Sequence, residues 1–413
     1  MRPLRFCMVT TFYPPYSFGG DATALRSLAL ALKRAGHEVT VVSDTDAFRA
    51  LSQAPAAPAP AQGGEVRVEW LHSRAGKLSL LLTHQLGYPV MQGRHLRSFL
   101  AKGGFDVVHF HNISLVGGPG ILGLPAGSAV KLYTAAEHWL VCPTHVLWRH
   151  QREPCTGRQC LRCTFNYRRP PQAWRHLPYF RRQLAHIDAF IAMSEFSRDK
   201  HMEFGFPHPM EVIPGFLPEL PHFGQDSAAA PHPRPYFLFV GRLERLKGLD
   251  DVIPACGRYE DADLLVVGDG PHRAALELMA SDYPNITFVG RVAHEELPRY
   301  YAHAIATVVP SIGFETFGFV VIESFRSGTP AVVRTVGPLP ELVSTCGGGE
   351  TFQTAEELVA ALRRLQHDSD HRAELARRAS DGFASHWAEH QVLPTYLGLV
   401  ERLTRAKRTV VDN

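Results

Sequence analysis

The sequence predicts an α/β protein of two domains, each built on a parallel sheet. Its 413 residues suffice for two domains of ordinary size. In both halves, short apolar runs typical of buried strands alternate with amphipathic stretches, the pattern of parallel sheets with crossover helices. A Pro-, His- and Ala-rich stretch at 213–235 is interpreted as the linker. We expect a first domain over 1–215, a second over 216–390, and a C-terminal helix and tail over 391–413.

The composition is that of an ordinary globular protein and argues against several classes. Apolar residues make up 45% of the chain and charged residues 20%, and the formal net charge is +3. This charge is too small to indicate nucleic-acid binding, so we expect no such partner. No run approaches the roughly 18 apolar residues of a membrane span. Residues 5–12 are too short an apolar run for a signal peptide, so we expect a cytoplasmic protein.

The first domain opens with a strand, a glycine-rich turn and a helix. Apolar residues at 6–11 predict the strand, Gly19 and Gly20 form the turn, and the helix is predicted over 21–35. A glycine-rich turn before the first helix is the usual ligand position in an open parallel sheet. Because the pair lacks the full dinucleotide fingerprint, a plain turn is an equal alternative.

Three histidines lie on or after the next strands of the first domain. These strands are predicted over 66–71, 106–111, 131–134 and 189–193. His109 and His111 alternate along one strand, and such a pair without a third ligand is more typical of a sheet end than of a metal site. His138 lies just past the carboxyl end of another, where side chains face the crevice of an open sheet. A packed loop histidine is its alternative.

Four of the seven cysteines lie close together in an insertion at 138–170. They are Cys142, Cys155, Cys160 and Cys163. Four soft ligands at this spacing in a cytosolic protein predict a closed structural zinc site. The C-x4-C-x2-C part, formed by Cys155, Cys160 and Cys163, also occurs in plant-type ferredoxins, so an iron–sulfur cluster is one alternative. Free thiols or disulfides are another. The candidates to replace one thiolate are His138, His145 and His150.

Residues 168–182 form a basic, aromatic and helix-like segment that includes Trp174, Tyr179 and Phe180. Such a segment suits peripheral contact with an anionic membrane or with an acidic acceptor. A solvated surface is the alternative.

The second domain carries two glutamates around the start of a predicted helix. An apolar run at 304–309 predicts a buried strand, and a glycine-bearing loop then leads to a helix over 318–327. Glu315 lies in the loop and Glu323 inside the helix, and both can point toward one crevice because helical side chains lean toward the N-terminus. That N-terminus suits a phosphate. The alternative is two solvated glutamates.

Two D-x-D pairs, Asp44-Thr45-Asp46 and Asp261-Ala262-Asp263, are weak candidates for holding a metal-bound diphosphate. The second pair precedes a strand, on the side of the sheet opposite to ligand binding. We interpret both pairs as solvated and expect no catalytic metal.

Taken together, the motifs resemble the retaining glycosyltransferases of family 4, which have the GT-B fold. The resemblance runs nearly from end to end and includes Gly19-Gly20 and the sequences DVVHFH at 106–111 and IAMSEFS at 191–197. In the second half it comprises VGRL at 240–243 with Lys247-Gly248, GDGP at 268–271 and FVGR at 288–291. The Glu315/Glu323 pair completes the set. It implies two Rossmann-like domains facing a central cleft, with the C-terminal helix crossing back to the first. The cysteine cluster is not a general feature of this family.

The resemblance implies a nucleotide-sugar donor in the cleft, with a UDP-sugar as the first expectation. Arg242 and Lys247 would hold the diphosphate and stabilise the charge growing on the leaving phosphate. Glu323 would accept hydrogen bonds from the ribose hydroxyls and Glu315 from the donor sugar, and His138 would face that sugar.

The resemblance also implies backbone contacts with the donor. Gly19 and Gly20 would let the first domain approach the phosphates closely. The N–H groups around Phe317 and Gly318 would complete the phosphate site, and Arg291-Val292 would meet the base. Transfer would retain the anomeric configuration, with the leaving phosphate taking the acceptor's proton, so no enzymic nucleophile is needed.

The acceptor is left open between a natural product, an oligosaccharide and a lipid-linked molecule. Two other functions also remain: a phosphorylase or synthase on the same fold, and a non-catalytic nucleotide-sugar-binding protein. The set of Arg242, Lys247, Glu315 and Glu323 favours catalysis, because a scaffold needs no charge-stabilising site.

Overall fold

The computed structural model describes residues 2–52, 66–219 and 229–411, which form two compact units. Unit 1 comprises Met1–Pro214 and Val392–Asn413, and unit 2 comprises Gly215–Gln391. Part of the interpreted linker, 220–228, lies outside the described residues. Within the described ranges, no helix combines the length and the apolar character needed to cross a bilayer.

Unit 1 is built on a sheet whose described strands number seven, all paired in parallel. The strands of the unit are β1 (Arg5–Val9), β2 (Glu38–Asp44), β3 (Arg67–Leu71), β4 (Val107–Phe110), β5 (Val130–Thr134), β6 (Trp148–Arg149), β7 (Glu153–Pro154), β8 (Ala189–Ala192) and β9 (Met210–Val212). The order in the sheet is β3-β2-β1-β4-β5-β8-β9, and β6 and β7 form a separate antiparallel hairpin. The central strands are buried and apolar, as parallel strands covered on both faces must be.

Helices connect these strands, and several of them bury their apolar faces against the sheet. They are α1 (Gly20–Arg34), α2 (Thr45–Leu51), α3 (Lys77–Leu86), α4 (Gly93–Lys102), α5 (Cys160–Asn166), α6 (Pro178–Leu184) and α7 (Glu195–Glu203). In α1, Leu25, Leu28 and Leu32 recur at helical spacing and are buried. Ser194 caps α7, its Oγ accepting from the N–H of Ser197 at 3.0 Å.

Unit 2 repeats this architecture with a described sheet of six parallel strands. The strands are β10 (Tyr236–Val240), β11 (Asp263–Val267), β12 (Ile286–Gly290), β13 (Thr307–Val309), β14 (Ala331–Arg334) and β15 (Gly349–Phe352). The helices are α8 (Leu249–Gly257), α9 (Arg273–Met279), α10 (Leu297–Ala302), α11 (Phe319–Arg326), α12 (Leu339–Cys346), α13 (Ala355–His367) and α14 (Ser369–Gly382). The sheet order is β12-β11-β10-β13-β14-β15.

The last helix, α15 (Glu389–Val411), returns to the first half of the chain. Its Tyr396 hydroxyl lies 3.0 Å from Nδ1 of His109, on β4, and both side chains are buried. Farther along, Nζ of Lys407 pairs with Asp188 at 2.6 Å. These contacts confirm the predicted crossing of the C-terminal helix to the first domain.

In each sheet the strand order reverses at one place. The reversal lies between β1 and β4 in unit 1 and between β10 and β13 in unit 2. At such a point the connections leave in opposite directions from neighbouring strands, and a crevice opens at the carboxyl edge of the sheet. The loops after these four strands are therefore the positions where ligand-binding side chains are expected.

Candidate active site

The loops that follow β10 and β13 in unit 2 are held against each other by backbone contacts. The N–H groups of Ile312 and Gly313 both donate to the carbonyl of Leu246, at 2.9 and 3.2 Å. Gly248 has φ 72°, and a Cβ at this position would lie 2.0 Å from the carbonyl oxygen of Pro310. Only glycine fits this conformation and this distance. These contacts therefore fix the position of the two loops relative to each other, at the point where the strand order reverses.

This contact brings together Lys247 and Glu315, two of the predicted site residues. Nζ of Lys247 donates to Oε1 of Glu315 at 2.8 Å, and Oγ of Ser311 donates to the same oxygen at 2.5 Å. The lysine and glutamate side chains are 30% and 24% exposed, so a ligand can reach both. A pair this exposed adds little to stability, which leaves its charges available for binding.

Arg242 lies two residues past β10, on the same loop as Lys247. Its guanidinium pairs with Glu244 at 2.7 Å and is 49% exposed. The glycine turn after β11 packs against this loop, because a Cβ on Gly268 would lie 1.9 Å from the carbonyl oxygen of Gly241. The structure thus gives Arg242 a carboxylate partner of its own rather than placing it on the Lys247–Glu315 pair.

Glu323 lies on the second turn of α11 and is buried. The hydroxyl of Tyr301 donates to its Oε2 at 2.7 Å. Burial raises the pKa of Glu323, and the hydrogen bond from Tyr301 and the charge of Arg326 oppose that rise. Sequence reasoning missed Tyr301, which lies on α10 within an unremarkable amphipathic stretch.

The start of α11 lies between the two glutamates in sequence. Gly318 precedes the helix, and the buried ring of Phe317 packs edge-on against Phe319 with centroids 5.1 Å apart. The first N–H groups of a helix have no intrahelical acceptor, and its N-terminal end is positive. This end can therefore bind an anion such as a phosphate.

In unit 1 the predicted glycines lie after β1, at the point where the strand order reverses. Gly19 has φ 76° and precedes α1, whose first residue is Gly20. His138 follows β5 in a 3₁₀ turn over His138–Leu140, where it is buried, with its ring centroid 5.3 Å from that of His201. Each predicted residue of unit 1 thus lies at or after the carboxyl end of a sheet strand.

Residues 18–218 match the family model described as Glycosyltransferase Family 4, and residues 225–381 match the model described as Glycosyl transferases group 1. The two matches together span most of both halves of the chain. The protein belongs to glycosyltransferase family 4.

Two curated relatives illustrate the similarity. Phosphatidyl-myo-inositol mannosyltransferase of Mycolicibacterium smegmatis is 26% identical over 384 residues, covering 89% of this chain and 87% of that protein. Sulfoquinovosyl transferase SQD2 of Arabidopsis thaliana is 31% identical over 153 residues, covering 36% of this chain and only 30% of that protein.

Solved structures establish the fold of this family 4 glycosyltransferase. Sucrose-phosphate synthase from Thermosynechococcus elongatus superposes with a TM-score of 0.73 at 19% identity, covering 98% of this chain and 100% of that one. Anabaena Alr3699/HepE in complex with UDP gives 0.64 at 15% identity, covering 97% and 100%, and the same protein is also solved with UDP-glucose. At these identities the likeness shows the fold alone. The predicted GT-B fold class, two Rossmann-like α/β domains, is confirmed.

Arg291 and Val292, the residues expected at the base, follow β12 in the glycosyltransferase. Arg291 is exposed, with Nε 3.6 Å from a carboxylate oxygen of Asp269. Val292 is partly buried against the core of unit 2. Because β12 is two strands away from β10 in the sheet, these residues are separate from the Lys247–Glu315 pair.

His109 on β4 and His111 just after it are both buried at the carboxyl end of the strand, as expected of a sheet-end pair. His109 is buried, with its two ring nitrogens 3.0 Å from the Tyr396 hydroxyl and 2.8 Å from that of Thr134. Burial lowers the pKa of His109 well below its ordinary value and that of His111 to about 3. Both rings are therefore neutral at pH 7.

The interpretation of both D-x-D pairs as solvated is wrong at three of the four positions. Asp44 caps the start of α2, and burial raises its pKa to about 6. Asp46 is also buried and accepts from the N–H of Ser73 at 2.7 Å. Asp263 is buried against His232, and only Asp261 is largely exposed. The pattern did not reveal this burial because it arises from capping and ion pairing within the folded units.

The basic, aromatic segment at 168–182 is not one continuous helix. A 3₁₀ turn over Ala173–His176 is separated from α6 by extended backbone at Leu177. Trp174 and Phe180 are buried in the core of unit 1. Two of its aromatic side chains thus pack inward and are not available to a membrane.

None of the described His, Cys, Asp and Glu residues form a group of three or more placed to hold a metal ion. The four clustered cysteines are nevertheless free thiols that line one cavity of about 20 Å³. Two candidate substitutes have other partners: His145 lies 2.7 Å from Glu137, and His150 lies 2.8 Å from Gln159. The zinc hypothesis therefore depends on the cysteines themselves.

The close approach at Gly248 gives a test of the loop arrangement. We expect Gly248→Ala to destabilise unit 2 by about 2 kcal/mol more than Gly328→Ala, because overpacking against backbone adds to the strain of a positive φ. Gly328 is the matched control, since its φ is 68° but a Cβ there would meet nothing within 4 Å. Urea unfolding measures both variants. Equal free energies of unfolding would contradict the proposed contact with Pro310.

Proposed function

We propose that this glycosyltransferase moves a hexosyl group from a UDP-sugar to an acceptor hydroxyl with retention of anomeric configuration and without a catalytic metal. The observation that carries the proposal is the Lys247–Glu315 pair at the reversal of strand order in unit 2. Support for the donor comes from the Anabaena protein, whose solved complexes contain UDP and UDP-glucose. Support for sugar transfer comes from the two relatives, which are named a sulfoquinovosyl transferase and a mannosyltransferase.

In this proposal the donor diphosphate displaces the carboxylates that pair with Lys247 and Arg242. Lys247 and Arg242 are each paired with a glutamate, at 2.8 and 2.7 Å, on partly exposed side chains. A diphosphate offers more negative charge and more acceptor oxygens than one carboxylate, so it competes for both cations. Glu315, released from Lys247, can then accept hydrogen bonds from the donor sugar. The N-terminus of α11 receives a second part of the diphosphate.

Glu323 is proposed to bind the ribose. Tyr301 occupies Oε2, which fixes the carboxylate orientation and leaves Oε1 for a ribose hydroxyl. The family resemblance implies three further assignments. Arg291 and Val292 would contact the base, and His138 would contact the donor sugar. The backbone of Gly19 and Gly20 would face the phosphates.

The proposed reaction exchanges one glycosidic bond for another. The bond between the anomeric carbon and the leaving phosphate oxygen breaks, and the acceptor oxygen attacks from the same face. The acceptor proton passes to the departing phosphate. Arg242 and Lys247 stabilise the charge that develops on that phosphate, which is the largest contribution the protein makes to such a step.

A cavity of about 1040 Å³ in unit 1 is the proposed acceptor site. Its lining includes Leu140, two residues after His138. Four arginines line the cavity, and none of the described Asp or Glu residues does. The arginines are Arg158, Arg162, Arg175 and Arg181. Apolar side chains line the rest, among them Leu161, Leu177, Phe180 and Phe206. We infer that the acceptor is an amphipathic anion, which favours a lipid-linked acceptor over a neutral natural product or oligosaccharide.

Peripheral contact with an anionic membrane stays a prediction, based on the basic residues of 168–182. Two other activities remain candidates. A phosphorylase or synthase would form a sugar phosphate when orthophosphate or a sugar phosphate replaces the acceptor. A non-catalytic binding protein would bind UDP without turnover.

Removing either proposed phosphate ligand should impair catalysis. We expect Arg242→Ala and Lys247→Ala to lower turnover by about two orders of magnitude or more, the scale for losing a preorganised charge. Stability should change little, because both side chains are partly exposed. Arg363→Ala, an exposed arginine on α13, is the control. Release of UDP from a UDP-sugar by the four proteins measures the effect, and near-wild-type turnover in both test variants would overturn the assignment.

Metal independence is tested by chelation. We expect EDTA to leave the initial rate unchanged at constant ionic strength, because Arg242, Lys247 and the start of α11 supply the positive charge. The measurement compares rates with EDTA, with EDTA followed by excess Mg²⁺, and with EDTA followed by Mn²⁺. Loss of activity that either ion restores would show that a divalent metal takes part.

The acceptor site is tested by an amphipathic anion and a neutral analogue. We expect dodecyl phosphate to bind and dodecyl maltoside to bind much more weakly, because only the first can pair with the arginines. Arg181→Glu should weaken dodecyl phosphate binding about tenfold or more. Arg182→Glu is the matched control, since Arg182 is the next residue on α6 and does not line the cavity.

Isothermal titration measures each of these affinities. Equal binding of both amphiphiles, or equal loss in the two arginine variants, would contradict an anionic acceptor site.

A further inference from the structure

The four clustered cysteines reach one small cavity from different parts of the insertion. Cys142 follows the 3₁₀ turn at His138, Cys155 follows β7 directly, and Cys160 and Cys163 lie on α5. All four line a cavity of about 20 Å³. A single water needs about 10–15 Å³ of such volume, so the cavity has room for one small ion and not for a substrate.

The backbone around this cavity is strained. Among the described residues, every non-glycine residue with positive φ lies in 145–168. These residues are His145, Leu147, His150, Gln151 and Arg168. Each such conformation costs about 1–2 kcal/mol and persists only where other interactions hold it. One interaction is visible, since the N–H of His150 donates to Sγ of Cys163 at 3.3 Å.

Arg175 is a half-buried cation that lines the 1040 Å³ cavity together with Cys160. Its guanidinium lies 4.9 Å from the ring centroid of Trp139, 4.7 Å from that of Trp174 and 5.5 Å from that of Phe180. Nε donates to Gln172 at 2.5 Å, but Nη2 is buried with no hydrogen-bond partner among the described residues. A guanidinium nitrogen that is buried without an acceptor is costly, so its place beside the cysteines points to negative charge there.

We propose that Cys142, Cys155, Cys160 and Cys163 bind one structural Zn²⁺, and that Arg175 is the counter-charge of the resulting tetrathiolate centre. Four thiolates around a divalent ion leave two negative charges in excess, and Arg175 compensates one of them. Binding releases the thiol protons to solvent. Thiolate donors with no fifth position match zinc in a closed tetrahedral site. Small rearrangements of the thiols would bring them from the cavity wall to the ion.

The centre would also shape the proposed acceptor cavity. Cys160 lines both the small cavity and the 1040 Å³ cavity, and Arg175 lines the larger one. The metal would therefore hold a wall of that cavity without contacting substrate. The metal proposal itself is independent of the proposed function, since metal content can be measured without any assay of transfer.

Metal content of the purified full-length protein is the first test. We expect elemental analysis to find about one zinc per chain. After Co²⁺ replaces the zinc, we expect the absorption spectrum of a tetrahedral thiolate site. Cys160→Ser should lose most of the zinc, whereas Cys346→Ser, a half-buried cysteine of unit 2, should retain it. The wild-type measurements decide the matter even if Cys160→Ser does not fold.

Arg175 is tested by metal affinity. We expect Arg175→Met to weaken zinc binding about 10–100-fold in competition with a chromogenic chelator, the range for partners outside the ligand shell. Arg175→Lys should recover part of that loss because it retains the charge. Unchanged affinity in Arg175→Met would refute the counter-charge role. Zinc-free protein whose four thiols all react under native conditions would overturn the metal site, as would iron with a brown colour, or disulfides found by mass spectrometry.

Discussion

The reversal of strand order between β10 and β13 is the constraint on which the candidate active site depends. It places two loops side by side at the carboxyl edge of the second sheet, and the Leu246 carbonyl and Gly248 hold them in contact. Lys247 and Glu315 are 68 positions apart in sequence but meet at 2.8 Å for this reason. Because parallel strands leave ligand-binding loops at this edge only, the position of the site follows from the sheet topology rather than from any single motif.

Each charged group of the site already has a partner within its own unit. Lys247 has Glu315, Arg242 has Glu244, and Glu323 has Tyr301. The cationic pairs are partly exposed and contribute little stability, so exchanging a carboxylate for a phosphate costs the fold little. Glu323 is different because it is buried, and its bond to Tyr301 fixes the position of the carboxylate. The site thus combines exchangeable charges with one oriented acceptor.

The sequence predicted the fold class and the residues at the reversal of strand order, because apolar runs and glycine turns are local signals. Lys247 and Glu315 follow predicted strands, so their proximity follows once the sheet order is known. Tyr301 was not predictable, since its role depends on how α10 packs against α11. Burial of Asp44 and Asp263 was missed for the same reason: tertiary packing and ion pairs decide it. The strained backbone of the cysteine insertion and the half-buried Arg175 beyond it likewise have no sequence signature.

A crystal structure of the protein with UDP would show directly whether the loops after β10 and β13 bind the donor. We expect the diphosphate beside these loops, with a phosphate oxygen within hydrogen-bond distance of Lys247 Nζ and Arg242, and with the Lys247–Glu315 bond broken. A diphosphate bound elsewhere, or bound with the Lys247–Glu315 bond still at 2.8 Å, would contradict this expectation.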